Sequence, residues 1–276
     1  MAIPFGLLLI PALWAVYQSL TNAALAGVEA IHPKFIGLQN YVTLLRDPGF
    51  RNSLSVSLKF LIWSALVGQF LLGMTAAVAL RRNDLKMRDL FGAIILLPLA
   101  VPEIVVAFMW TSFLAPGEFG SLNRLLRFVG ISASANWFYQ YPLPSVILIN
   151  IWRGVTFATI LFLSGLQTIP TELEEAGAVD GGSPRQVFQY ITLPLLMPVI
   201  FTYMILTTIT TLSIFGLIYA LTRGGPGGAT EVVPIYMYNR AFQFYQLGYG
   251  SAVAVVMLIV ALTLGFIYVR SLRVML

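Results

Sequence analysis

Two ionisable side chains stand inside long apolar segments of this chain, where charge is costly and usually functional. Glu103 lies in the segment 91–115, and Arg153 lies in the segment 143–168. Along straight helices that rise about 1.5 Å per residue, Glu103 lies about 18 Å into its segment, and Arg153 reaches a similar depth from the opposite side. Both then fall near the middle of a hydrocarbon core about 30 Å thick. We expect them to face one cavity, either as part of a site for a polar solute or as a structural ion pair.

Hydroxyl and amide groups are frequent in the neighbouring apolar segments. Thr207 and Thr211 share a helical face of the segment 194–220, and Asn150 and Gly154 share a face of the segment 143–168. Such groups can replace the water shell of a polar solute. Threonines in membrane helices also bond to their own backbone or to neighbouring helices, so both interpretations stay open. Two prolines, Pro98 and Pro102, interrupt the segment of Glu103 and free backbone carbonyls there.

Several other kinds of chemistry are disfavoured by the residues that the chain lacks. It contains no Cys and one His in 276 residues, so thiol chemistry is excluded, and neither a metal site nor a catalytic site is expected. The glycine-rich stretch 224–228 is not followed by Gly-Lys-Ser or Gly-Lys-Thr, so it is not a phosphate-binding loop. The net charge of +5 is modest, and we attribute it to membrane orientation and contact with lipid headgroups rather than to binding of nucleic acid. We therefore expect no cofactor and no enzymatic activity in this chain.

The elements that must position these residues are membrane helices. The composition is 58% hydrophobic and 10% charged, with a mean hydropathy of +0.85, whereas soluble domains carry about 25% charged residues. Residues 1–276 are predicted to form a single all-α transmembrane domain, since no soluble stretch is long enough to fold separately. Six segments reach the roughly 20 apolar residues that a span requires, namely 3–20, 54–80, 91–115, 143–168, 194–220 and 248–270.

The distribution of basic residues predicts that both termini are cytoplasmic. Arg81, Arg82, Lys86 and Arg88 occupy one short connection, whereas the cations on the other side are scattered along longer loops. We interpret the segment 3–20 as a true first span rather than a signal peptide, because no basic residue precedes it. A cytoplasmic leader absent from this sequence would then precede it.

Residues 170–194 form a polar, acidic connection whose sequence is typical of a helix–turn–helix. Anionic lipid would repel its carboxylates, so docking onto a soluble protein is favoured over lying on the membrane surface. Leu173, Ala176, Gly177 and Asp180 share one helical face that permits close approach, and Phe188 offers an apolar anchor. The structural signals are a capping box of Thr171 and Glu174, a left-handed stop at Gly181-Gly182, a second capping box of Ser183 and Gln186, and a bend at Pro194.

This connection resembles the EAA loop of ABC-importer permeases, whose pattern is E-A-A, then a Gly, then I-x-L-P. The matching residues are Glu175-Ala176-Gly177, Asp180-Gly181 and Ile191-Thr192-Leu193-Pro194. Gly177 replaces the second alanine and lowers helix stability by about 1 kcal/mol. In that family the loop seats in a groove of a separate ATP-binding subunit. The resemblance implies that these residues couple to the ATPase: Glu174, Glu175, Ala176, Gly177, Asp180, Gly181 and Phe188.

A second resemblance covers nearly the whole chain and is to the carbohydrate-type, maltose-like members of the family. It is carried by the stretch 221–231, by Leu97-Pro98 with Pro102 and Trp110, and by the stretch 150–154. Polar or aromatic groups are common in maltose-like members where this chain has Leu99 and Ile214, so the exact sugar does not transfer. We add Arg153 to the residues implied by the resemblance because of its predicted depth in the membrane. The resulting solute-binding set is Leu99, Glu103, Asn150, Arg153, Gly154, Thr207, Thr211 and Ile214.

The resemblance implies a permease subunit of an ATP-driven importer for a sugar or oligosaccharide in the cell membrane. The expected partners are a second homologous permease, two copies of a subunit that binds ATP and Mg, an external solute-binding protein and membrane lipid. A permease for a polyol, glycerol phosphate or another non-sugar solute stays open, although Arg153 is the only deep cation available to a phosphate. A secondary transporter would require an internal repeat and a buried ion relay, and neither is evident in the sequence.

Overall fold

The computed structural model describes residues 2–81, 87–131 and 134–275, with side chains for residues 9–81, 87–131 and 134–270. Helices account for nearly all the regular structure in these ranges, beside one isolated bridge between Thr21 and Phe35. The α-helices are α1 Ala2–Ser19, α2 Val28–Ile31, α3 Gln39–Arg46, α4 Pro48–Phe60, α5 Phe70–Arg81, α6 Arg88–Ala100, α7 Glu103–Phe113, α8 Ser121–Phe128, α9 Trp137–Gln140, α10 Pro142–Gln167, α11 Thr171–Val179, α12 Pro184–Val187, α13 Leu193–Leu212, α14 Gly216–Thr222, α15 Val233–Tyr238 and α16 Leu247–Met275. Three π-helices connect some of them, namely π1 Leu61–Gln69, π2 Phe188–Thr192 and π3 Asn239–Gln243.

Within the described residues, four continuous helices are long and apolar enough to cross a membrane. A fifth span results if the bent pair of α6 and α7 crosses as one. The predicted segment 3–20 forms α1, which is not among these, so the sixth span stays a prediction. The four helices are Pro48–Arg81, Pro142–Gln167, Pro184–Leu212 and Leu247–Arg270.

The predicted segment 194–220 is shifted in the structure. The continuous helix begins at Pro184 and ends at Leu212, and α14 follows as a separate short helix from Gly216. The helix therefore continues through Pro194 without a break, and the bend expected there stays a prediction. The π-helical turn π2 ends at Thr192, two residues before Pro194, and its wider hydrogen-bond pattern already departs from the i to i−4 spacing that proline disrupts.

The predicted segment 91–115 is broken rather than kinked. Helix α6 ends at Ala100 and α7 begins at Glu103, with an angle of 107° between them. The break falls at Pro102, as its missing N–H donor predicts, whereas Pro98 is buried inside α6. The depth of about 18 Å inferred for Glu103 assumed a straight helix, and the break contradicts that assumption.

The chain divides into two compact units. Unit 1 comprises residues 1–59, 107–143 and 212–263, and unit 2 comprises residues 60–106, 144–211 and 264–276. In unit 2, Phe162 and Tyr203 are fully buried with ring centroids 4.8 Å apart, at the centre of an apolar cluster. Glycines bring its helices close, since a Cβ at Gly73 would lie 2.4 Å from Cβ of Ala158. Small residues at helix contacts are typical of packing within membranes.

A carboxylate organises the core of unit 1. Oδ2 of Asp47 accepts hydrogen bonds from the hydroxyl groups of Tyr236 and Tyr249, at 2.7 and 3.1 Å, and pairs with Nη2 of Arg240 at 2.8 Å. Its other oxygen accepts the backbone N–H of Gly49 at 2.7 Å. Burial raises the pKa of Asp47, but these hydrogen bonds and the Arg240 charge outweigh that effect and leave the pKa below its ordinary value of 3.8.

The glycine-rich stretch of unit 1 is a closed turn rather than a flexible one. Gly224 and Gly228 have φ of +87° and +79°, which L side chains rarely adopt. The hydroxyl of Thr230 donates to the carbonyl of Gly225 at 2.8 Å, and Nδ2 of Asn52 donates to the carbonyl of Gly228 at 2.9 Å. These bonds fix the turn to the start of the helix Pro48–Arg81.

The short basic connection used to assign orientation lies only partly within the described residues. Arg81 and Arg88 are described, whereas Arg82 and Lys86 lie outside the described residues. The cytoplasmic position of the termini stays a prediction from the sequence.

We predict that Asp47→Asn destabilises unit 1 at neutral pH. The carboxylate accepts bonds from a cation and two hydroxyls, and a charged hydrogen bond contributes about 1.5–3 kcal/mol. Because the folded-state pKa is lowered, this stability is present above the unfolded-state pKa and is lost as the pH falls through the folded-state value. Thermal unfolding in detergent at about pH 7 and about pH 3 measures both effects.

The control is Asp89→Asn, which removes an exposed carboxylate in the first turn of α6. It should leave the unfolding temperature nearly unchanged. An Asp47→Asn protein as stable as the parent at neutral pH would show that the cluster contributes little.

Candidate functional site

The polar connection folds as α11, a tight turn and α12. Gly181 has φ of +85°, which confirms the predicted left-handed stop. The backbone N–H of Ser183 donates to Oε1 of Gln186 at 2.8 Å, so the second predicted capping box is present. Pro184 occupies the first turn of α12, where its missing donor costs nothing.

The first predicted capping box is wrong. Helix α11 already includes Thr171, its flanking residue is Pro170, and no side chain caps its first turn. Glu174 is therefore free of a capping role, and its carboxylate has other partners.

Glu174 fastens α11 to two apolar helices. Its Oε1 lies 2.7 Å from Nη1 of Arg81, the last residue of the helix Pro48–Arg81. The same oxygen accepts the hydroxyl of Thr192 at 2.6 Å, and Thr192 is only 3% exposed in the helix Pro184–Leu212. Nη2 of Arg81 also reaches the carbonyl of Ile169 at 3.4 Å. The connection is thus held by a charge-assisted network, which is stronger than bonds between neutral groups.

Two residues expected to contact a partner instead face their own chain. A Cβ at Gly177 would lie 2.5 Å from Cδ1 of Ile191, so the close approach that this glycine permits is to the following helix. Phe188 is half-buried and packs against the apolar cluster of unit 2. Both side chains position the connection rather than lie on its free surface.

Much of α11 is exposed outside these contacts. Glu175, Ala176 and Leu173, which is 44% exposed, lie in the helix, and the exposed residues Asp180 and Gly181 follow it. Val179, which is not among the predicted coupling residues, is 86% exposed. Leu173 and Val179 thus offer exposed apolar surface beside the carboxylates of α11.

A cavity of about 400 Å³ lies beside the Glu174 network. Its walls include Val78, Leu166, Val187 and Phe188. Side chains do not fill the space on this side of the connection. The ion pair of Arg81 and Glu174 therefore contributes more than apolar packing to holding α11 in place there.

We predict that Glu174→Gln loosens α11. The substitution removes the charge that Arg81 and Thr192 share, which contributes about 1–2 kcal/mol when the groups are partly buried. Amide hydrogen exchange over residues 171–180 should become about five- to thirtyfold faster.

The matched control is Glu175→Gln, the neighbouring exposed carboxylate. Its exchange rates should match those of the parent chain. Equal protection in the two variants would show that the Arg81 pair does not hold the helix.

The two ionisable residues of the predicted solute set form an ion pair. Nη2 of Arg153 lies 3.4 Å from Oε2 of Glu103, and the side chains are 36% and 34% exposed. Glu103 opens α7 directly after the break at Pro102, and Leu99 lies just before the break with 66% exposure. The pair is electrically neutral and accessible, so it can exchange hydrogen bonds with a polar molecule.

The remaining members of the set are packed in the interior. Asn150, Thr207 and Thr211 are 5%, 3% and 7% exposed in unit 2, and Gly154 is pressed against a neighbouring side chain. Ile214 is 9% exposed and belongs to unit 1. In this conformation the structure brings Glu103 and Arg153 together as predicted, and it leaves the amide of Asn150 and the hydroxyl of Thr207 hydrogen-bonded to protein partners.

Gln69 and Ser64, the partners of those groups, were not among the predicted site residues. They lie on π1, and both are buried. The signal that points to Gln69 is an uncharged polar side chain inside an apolar run. Arg81 has a role in the attachment of α11 besides its contribution to the charge pattern.

The chemistry available here is that of binding. The groups are amides, hydroxyls and a neutralised ion pair, which donate and accept hydrogen bonds. Among the described residues, no group of three or more His, Cys, Asp or Glu is placed to hold a metal ion.

Comparison with known proteins relates most of the chain to one family. The family model "Binding-protein-dependent transport system inner membrane component" matches residues 69–274. The trehalose/maltose transport system permease protein MalF of Thermococcus litoralis is 36% identical over 242 residues, which cover 86% of this chain and 79% of that protein. The sulfoquinovosyl glycerol transport system permease protein SmoG of Agrobacterium fabrum is 34% identical over 265 residues, which cover 94% of this chain and 82% of that protein.

The fold also matches that of solved transporters. A chain of a bacterial alginate ABC transporter, crystallised with an alginate pentasaccharide-bound periplasmic protein, superposes with a TM-score of 0.75. The two chains are 25% identical, and the match covers 84% of this chain and 81% of the other.

Proposed function

The chain belongs to the family of inner membrane components of binding-protein-dependent transport systems, and on this premise we propose that it forms half of the pathway for a sugar or oligosaccharide. The observation that carries the proposal is that residues 170–194 have one attached side and one exposed side. One side is fixed to the helices of the chain through Glu174, and the other side presents exposed residues around Val179. This arrangement supports coupling to a separate ATPase.

The partners follow from this arrangement. Two copies of an ATP-binding subunit, which bind ATP and Mg, dock onto residues 170–194 of this chain and of a second, homologous permease. An external solute-binding protein delivers the sugar. The family is one of transport components rather than catalytic subunits, and ATP hydrolysis takes place in the partner.

Movement of α11 is passed to the helices that carry the solute residues. Arg81 ends the helix Pro48–Arg81, and Thr192 lies in the helix Pro184–Leu212, which also contains Thr207. Closure of the ATPase dimer therefore displaces two spans together with the connection. A solute shifts this equilibrium only through unequal contacts with the two conformations.

The chain as a whole is a single transmembrane domain of residues 1–276 in this proposal. It has six spans, of which α1 is the first and the bent pair α6 and α7 is the third. Both termini are cytoplasmic, and so is the connection 170–194.

The solute meets the residues of the predicted set near the middle of the membrane. Glu103 and Arg153 neutralise each other at 3.4 Å, which favours an uncharged sugar over a solute with a phosphate group. Asn150, Thr207 and Thr211 supply further hydrogen bonds, and Leu99, Gly154 and Ile214 shape the pathway.

We predict that Val179→Asp weakens binding of the ATPase. A buried interface residue of this kind contributes on the order of 2 kcal/mol, which corresponds to about thirtyfold weaker affinity. Co-purification of the ATP-binding subunit with the permease pair measures the effect.

Phe128→Asp is the matched control, because Phe128 is 90% exposed in α8, far along the chain from the connection. It should retain the ATPase. A Val179→Asp permease that still retains the ATPase in full would contradict the proposed docking face.

We predict that Glu103→Gln lowers transport of uncharged sugars and relatively favours acidic ones. The variant leaves the Arg153 cation without its counter-charge, and a partly desolvated cation attracts an anion. Uptake of an uncharged and an acidic sugar into proteoliposomes should change their ratio by about tenfold, the equivalent of about 1.4 kcal/mol.

The comparison variant is Glu118→Gln, which breaks an exposed ion pair with Arg127 in unit 1. It should leave the ratio unchanged. Identical ratios for the Glu103→Gln and parent proteins would remove the pair from the solute site.

A further inference from the structure

Gln69 is the point on which the interior solute residues converge. It is 4% exposed and is the last residue of π1. Its Nε2 donates to the backbone carbonyl of Asn150 at 2.8 Å, and its Oε1 accepts the hydroxyl of Thr207 at 3.3 Å. Both ends of one amide are thus engaged by residues of the proposed solute set, on two different helices.

A glycine makes room for this side chain. A Cβ added at Gly154 would lie 2.1 Å from Cδ of Gln69 and 2.3 Å from its Nε2. No side chain can occupy position 154 while Gln69 stays in place. Gly154 therefore belongs to the same arrangement, although it forms no side-chain hydrogen bond.

The π-helix supplies the partner of the Asn150 side chain as well. Nδ2 of Asn150 donates to the hydroxyl of Ser64 at 2.8 Å. Ser64 and Gln69 lie five residues apart, a spacing that points to different faces of an α-helix but to nearly one face of a π-helix. The local π geometry thus lets one face of the second span hold both the backbone and the side chain of Asn150.

We propose, on the basis of the sugar-permease function above, that Gln69 is a positioning residue that occupies the partners of the solute while the pathway is empty. Buried polar groups left without partners are strongly unfavourable. The hydroxyl of Thr207 therefore needs an internal partner whenever no solute is bound, and Gln69 supplies it while also bonding to the backbone carbonyl of Asn150. The amide group has a hydrogen-bond donor and an acceptor, so it can replace a sugar hydroxyl both as a donor and as an acceptor.

This exchange links solute binding to the conformational equilibrium. The bonds of Gln69 stabilise the empty conformation, and a solute gains the hydroxyl of Thr207 and the backbone carbonyl of Asn150 only when Gln69 releases them. Removing the amide lowers the stability of the empty conformation, so the transporter should reach its ATP-hydrolysing conformation more often without solute.

The test is Gln69→Leu in the complete complex of both permeases, ATPase subunits and binding protein. ATPase activity is measured without sugar and with maltose-loaded binding protein. The solute-free activity should rise about tenfold, equivalent to about 1.4 kcal/mol, and stimulation by the loaded binding protein should fall by a similar factor. A merely structural role would lower both activities in proportion to the amount of assembled complex.

Gly154→Ala provides an independent variant, because its Cβ displaces the amide without deleting it. It should act in the same direction, and the double variant should show less than the sum of the two effects. Thr159→Val is the control, since Thr159 is equally buried on α10 but bonds to its own backbone at Val155. It should behave like the parent complex.

An unchanged stimulation ratio per assembled complex in Gln69→Leu would overturn the proposal while leaving the permease function intact. If Gln69→Leu does not assemble, Gln69→Asn is judged by the same ratio, since it keeps the amide but withdraws it by one methylene. A parent complex that no sugar-loaded binding protein stimulates would overturn both the sugar-permease function and this inference.

Discussion

The attachment of the polar connection to the membrane helices depends on one carboxylate oxygen of Glu174, which two partners share. It is bonded to Arg81 at 2.7 Å and to Thr192 at 2.6 Å, and it joins a polar connection to two helices that have little other polar surface near it. A partly buried carboxylate needs such partners, since unpaired charge is costly away from water. Together with the contact of Gly177 and Ile191, it makes α11 part of unit 2 rather than a mobile appendage.

The same two helices also hold Thr207 of the proposed solute set and its partner Gln69. The helix Pro48–Arg81 contains Gln69 as well as Arg81, and the helix Pro184–Leu212 contains Thr207 as well as Thr192. Each helix is continuous between its two polar contacts, and a continuous helix transmits displacement along its axis. In the proposed mechanism, coupling and solute recognition therefore lie at two ends of the same helices.

Both units follow one rule for polar groups in apolar surroundings. In unit 1, Asp47 gathers two tyrosines and an arginine, and in unit 2, Gln69 gathers an asparagine carbonyl and a threonine. Each cluster ties together helices that are remote in sequence. Apolar side chains pack equally well against lipid tails and against a neighbouring helix. Apolar packing alone therefore cannot specify which helices are neighbours. Hydrogen-bonded clusters supply that specificity.

Much of this architecture follows from the sequence alone. Hydropathy predicts the apolar helices because each must bury its length in hydrocarbon, Pro102 predicts the break because it lacks a donor, and Gly181 predicts the turn because it tolerates positive φ. The pairing of Glu103 with Arg153 was also expected. These features depend on single residues or short windows.

Only the tertiary structure decided which groups are partners. The sequence predicts a capping box for Glu174 and an outer face for Gly177 and Phe188, because periodicity defines a face but not the direction in which it points. Gln69 and the π-helix were missed, since a π turn is stabilised by contacts with other helices rather than by local sequence. Long-range hydrogen bonds join residues whose separation along the chain carries no signal, and their geometry emerges only when the helices pack.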